Sequence, residues 1–82
     1  MANSPTYTVT LRIAFYKDEA LSETKKLLNE HGAHIHGIDT IEVKRDRAIR
    51  DITLDAANEA AFDALVSELE KLEHVKLMQT SD

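Results

Sequence analysis

Three histidines fall close together, at His31, His34 and His36, and imidazoles at this density can bind zinc, copper or nickel. A closed metal site needs them to converge with further donors. The chain has no cysteine, and no carboxylate is tightly placed to complete a set. His31 also falls where a helix is expected to end, and positive charge there suits the partial negative charge of the last carbonyls. His34 and His36, two residues apart, share one face of an expected strand. The bland reading is three surface histidines and no metal. The sharper one, kept as the alternative, is a metal-handling domain that uses His31, His34 and His36.

A second group with chemical potential is Lys44-Arg45-Asp46-Arg47, with Arg50 close behind. It is either a solvated turn or an anion-recognising tip. Arg12 and Asp51 are expected on the helix-free face of neighbouring strands, where they form a cross-strand pair. Catalytic order is lacking. No G-x-S-x-G, no Ser-His-Asp sequence and no paired acids in a plausible cleft occur. Glycine stands only at 32 and 37, so no phosphate-cradling loop is present. The chain is therefore not expected to be an enzyme in its own right, and no cofactor is implied.

These residues must be positioned by a short series of elements. Tyr7 to Phe15 alternate strictly, with Tyr7, Val9, Leu11, Ile13 and Phe15 on one face and Thr8, Thr10, Arg12 and Ala14 on the other; that is the period of a half-buried strand. A loop follows from Tyr16 to Ala20. The first helix is predicted over Glu19 to His31, with Asp18 as N-cap and Gly32 as the left-handed residue past its end. His34 to Asp55 reads as a long β-hairpin. Its first strand does not keep one phase: Ile35, Ile41 and Val43 agree, Ile38 does not, and Gly37 marks the break where a bulge is expected. The second strand places Ile52 and Leu54 on one face and Asp51, Thr53 and Asp55 on the other. Asn58 caps a second helix predicted over Glu59 to Leu72, with Ala61, Phe62, Leu65, Val66, Leu69 and Leu72 inward. His74 to Thr80 close the domain as a last strand, with Val75 and Leu77 inward.

The order β-α-β-β-α-β implies an α+β, ferredoxin-like domain. Right-handed crossovers put both helices on one face of a four-stranded antiparallel sheet in the order 4-1-3-2. Residues 1–6 and 81–82 are expected to be tails around a single domain of residues 7–80. The first strand of the hairpin then forms a sheet edge that is rich in isoleucine and free of proline. Such an edge is a template for another chain, so a homodimer or a docked parent enzyme is expected, with Ile35, His36, Gly37, Ile38, Asp39 and Ile41 at the interface.

Composition narrows the partners. The 82 residues carry 15 acidic against 10 basic side chains, a net charge of −5. That balance argues against nucleic acid, which needs a basic face. No apolar run approaches a membrane span, and the first residues lack a signal-peptide pattern, so a cytoplasmic protein is expected. A hydrophobic content of 43% excludes a disordered tail.

Gly32-Ala33-His34-Ile35-His36-Gly37-Ile38-Asp39, Ile41-Glu42-Val43 and Arg50-Asp51-Ile52-Thr53-Leu54-Asp55-Ala56 together resemble an ACT domain, the small regulatory module of amino-acid and related metabolic enzymes. The text is similar to the ACT segment at the N-terminus of some bacterial NAD-dependent malic enzymes, and the likeness spans residues 7–80. The resemblance implies self-association, an attached or partner catalytic domain, and a small effector such as an amino acid or dicarboxylate. It places the effector at the loop Tyr16, Lys17, Asp18, Glu19, Ala20 and Leu21. The Pro-Gly pair usual in that loop is missing here, and Glu19 puts negative charge where a carboxylate would approach the helix. The position of the loop carries over; its ligand chemistry does not.

Overall fold

The computed structural model describes residues 7–82; the expected tail of residues 1–6 lies outside the described residues. The elements are β1 (Tyr7–Phe15), α1 (Ala20–Glu30), β2 (His34–Val43), β3 (Ala48–Ala56), α2 (Glu59–Leu69) and β4 (Val75–Ser81). The sheet is antiparallel throughout and runs β2-β3-β1-β4, the expected order read from the other edge. β4 continues one residue beyond its predicted end, to Ser81.

Alternation builds the core. Val9, Leu11, Ile13 and Phe15 of β1 and Ile52, Leu54 and Ala56 of β3 point to one face, where they meet Ala20 and Leu28 of α1 and Phe62, Leu65 and Leu69 of α2. Leu11, Ile13, Leu28, Ile52 and Leu54 are fully shielded from solvent. The other face carries rows of polar pairs across β1 and β3. Thr8 donates to Asp55, the hydroxyls of Thr10 and Thr53 lie 2.9 Å apart, and Arg12 meets Asp51.

The helix ends follow local chemistry. At the C-terminus of α1, Gly32 adopts φ +76°, which a side chain would resist. Its N–H donates to Asn29 and the Ala33 N–H reaches back to Leu28, a Schellman closure of the orphan carbonyls. At the N-terminus of α2, Asn58 accepts from the Ala61 N–H at 2.8 Å, as its position predicts.

Three expectations need correction. Asp18 is not the N-cap of α1. Glu19 holds that place in helical backbone geometry without a side-chain cap, because a tight turn from Lys17 to Ala20 swings Ala20 straight into the core. The second helix stops at Leu69, not Leu72. Bonds from Lys71 to Glu68 and from Leu72 to Leu69 tighten the chain into turns, and His74 then takes φ +63° at the entry to β4. The third concerns β2, which carries two bulges and not one. The first, at His36, lies beside the predicted break and brings Ile38 into phase with Ile35, so both pack against the core. The second, at Ile41, shifts the phase again and leaves Ile41 and Val43 exposed, at 48% and 68% of their full surface.

Candidate functional site

The hairpin of β2 and β3 overhangs the start of α1, and a crevice of about 270 Å³ opens between its tip and the loop after β1. The floor is apolar. Val43, Ala48 and Phe15 form one row across the three strands, and Leu21 of α1 adds a side wall. The rim is ionic. Lys17, Lys44, Arg45, Arg47 and Arg50 face two carboxylates, Asp18 and Asp46, and Tyr16 completes the lining. The rim thus has a local charge of +3 in a chain of net charge −5.

Backbone bonds hold both walls. The Tyr16 N–H donates to the His74 carbonyl at 2.9 Å, which ties the loop to the entry of β4. The Lys44 N–H donates to the Arg47 carbonyl at 2.8 Å and closes the tip. Arg45 and Asp46 between them keep negative φ, so the turn needs no glycine. Charge satisfaction on the rim is poor. Lys44 and Arg47 share one oxygen of Glu42, each at 3.7 Å. The Arg47 Nε is buried without a hydrogen-bond partner. Lys17, Arg45 and Arg50 form no ion pair among the described residues, and residues 1–6 contain no acidic side chain.

Of the loop residues singled out from the sequence, Tyr16, Lys17, Asp18 and Leu21 line this crevice. Glu19 instead faces a separate, shallower depression with Glu23 and the turn at Lys71–His74. Ala20 is buried in the core and presents no surface. The basic run at the tip, whose simplest sequence reading is a solvated turn, forms the opposite wall. A charge run gives no sign of what it will face, so this convergence had only a faint signal.

The histidines separate into two places. His34 and His36 lie side by side on β2, their rings edge to face at 5.1 Å. His36 Nε2 lies 2.7 Å from Asp55, which also accepts from Thr8. Those two hydrogen bonds, Thr8 before His36, hold the Asp55 carboxyl below its usual range. His31 lies apart from them, at the end of α1. Among the described residues no three His, Asp or Glu side chains gather as metal ligands. The metal-handling reading of His31, His34 and His36 therefore has no geometric support.

The six edge residues also divide. Ile35 and Ile38 turn inward against the core, whereas His36, Gly37, Asp39 and Ile41 are exposed along β2. Asp39 stands opposite Asp51 across β2 and β3, a like-charge neighbour relieved by Arg12 on the far side. The Arg12 fork meets Asp51 at 2.8 and 3.0 Å, as the sequence predicts, and lowers the Asp51 pKa.

A pH dependence follows. A carboxyl whose folded pKa is depressed stabilises the fold above its ordinary value of 3.8, and that contribution is lost as pH falls toward the lowered value. Urea midpoints are expected to lose a component below about pH 4. Asp51→Asn should lower the midpoint at neutral pH and flatten the acid limb. An unchanged acid limb would show that the Arg12 pair carries none of it.

Against known proteins, no protein-family model matches the sequence. It is 32% identical over 75 residues to an NAD-dependent malic enzyme of Geobacillus stearothermophilus. That match takes in 90% of this chain but only 16% of the enzyme's length. In structure the chain is similar to the ACT domain from the GTP pyrophosphokinase of Chlorobium tepidum, with a TM-score of 0.73 at 14% identity, covering 94% of this chain and 97% of that one. The fold is that of an ACT domain. A homoserine dehydrogenase from Thiobacillus denitrificans gives a TM-score of 0.72 at 17% identity over 92% of this chain and 17% of the dehydrogenase. Among the described residues of this ACT-type fold, no helix is long and apolar enough to cross a membrane.

Proposed function

We propose that the chain is a non-catalytic regulatory domain that pairs with a second copy and senses a small metabolite. The observation that carries this reading is the crevice between the β1–α1 loop and the hairpin tip, with an apolar floor and unsatisfied polar groups on its rim. Pockets of this make-up orient small ligands by a few polar contacts. The partner surface is β2, an edge strand with exposed Ile41 and Val43 and free backbone groups. Binding in the crevice regulates an attached catalytic unit only through a difference in affinity between two pairing geometries.

The malic-enzyme likeness supports an NAD-dependent malic enzyme as the attached or partner unit. The reading frame beyond the Asp82 codon tests it: continuation into a nucleotide-binding domain supports attachment, and an immediate stop removes it. The sensing role is tested by thermal shift against amino acids and dicarboxylates. A true effector at a hundred times its Kd stabilises by about 2.7 kcal/mol, which raises the midpoint by roughly 11–22 °C. If no compound moves the midpoint, the domain serves assembly alone.

A further inference from the structure

We infer that the crevice takes a compact anion bearing two or more negative charges, such as a phosphate ester or a di- or tricarboxylate, in preference to a zwitterionic amino acid. The inference rests on the effector-site reading above and adds the class of ligand. Four observations carry it. The rim charge is +3 while the chain as a whole is −5, so the local field opposes the global one. Three rim cations, Lys17, Arg45 and Arg50, have no ion-pair partner among the described residues. The Nε of Arg47 is buried and unpaired, and an unmet guanidinium donor next to an open crevice is the group that an oxyanion satisfies.

The fourth observation is what the site lacks. A zwitterion needs an acceptor for its ammonium as well as donors for its carboxylate. The two lining carboxylates, Asp18 and Asp46, stand among five cations, which favour anions over ammonium groups. The volume of about 270 Å³ suits a compact molecule. The apolar floor of Phe15, Val43 and Ala48, with Leu21 at its side, leaves room for a short carbon skeleton between the anionic ends.

The test is a titration of the ¹⁵N-labelled full chain with citrate, with inorganic pyrophosphate and with serine, followed by amide shifts. Both polyanions are expected to shift Tyr16–Asp18 and Lys44–Arg50 and to weaken as salt rises. The double variant Arg47→Gln, Arg50→Gln should lose about tenfold or more in affinity for them, while its dispersed amide spectrum shows the fold intact. The pyrophosphate and citrate arms separate a phosphate source from a carboxylate one. Serine shifting the crevice amides where neither polyanion does would overturn the charge inference and leave the effector site standing. Shifts that scatter over all lysines, or that survive the double variant, would overturn it as non-specific charge binding. Silence from every probe at the crevice would remove the site itself.

Discussion

Replacing Ile52 by alanine is expected to cost about 2–5 kcal/mol, enough to lower the thermal midpoint by roughly 10 °C or more. Ile52 lies in β3, the strand flanked by both β1 and β2, paired with Leu11 on one side and Ile38 on the other. It is fully buried. Removal of its branched end leaves a void that both neighbours border, and neither strand can close it without breaking register. A domain of this length has a total stability of only about 4–12 kcal/mol. Ile52→Ala therefore brings the fold near its limit, and circular dichroism melting reads the loss directly. A midpoint within a few degrees of the parent would mean that the sheet relaxes around the gap and that the core is less close-packed than its burial implies.

The second large effect is expected at the border of the sheet. If β2 pairs with a second copy, the parent chain sediments as a dimer and its melting midpoint rises with protein concentration. Ile41→Lys places a charge on an exposed edge position, a device that natural sheets use against pairing. The variant is expected to sediment as a single 9.2 kDa particle with a concentration-independent midpoint. Because Ile41 is already about half exposed, its loss should cost the isolated fold little. A parent chain that stays monomeric at high concentration would sink the pairing model, whatever the variant does.

Features set by a local period or by the order of the elements were legible in the sequence. The strict alternation of Tyr7 to Phe15 describes β1, Asn58 caps α2, Gly32 closes α1, and Arg12 faces Asp51. Each depends on a local period or on a pairing that the βαββαβ order dictates. The misses depend on distant contacts. Ile35, Ile41 and Val43 share one phase in the sequence, and only the pairing of β2 with β3 shows the second bulge, at Ile41, that breaks it. Leu72 keeps the helical spacing of α2, yet the chain tightens ahead of it to reach β4. The crevice was legible by half. The loop at Tyr16–Leu21 was marked, but Lys44 to Arg50 show only charge until the overhanging hairpin sets them against it.

The two irregularities in β2 bear on how far self-association can run. Between them only Gly37 to Thr40 keep an unbroken ladder with β3. Were a second copy to pair along β2, its most regular ladder would run over that short stretch with Ile41 at its margin, because each bulge turns the backbone and coils the ribbon away. A bulged, twisted edge of this kind resists the open-ended stacking that makes flat ribbons grow into fibrils.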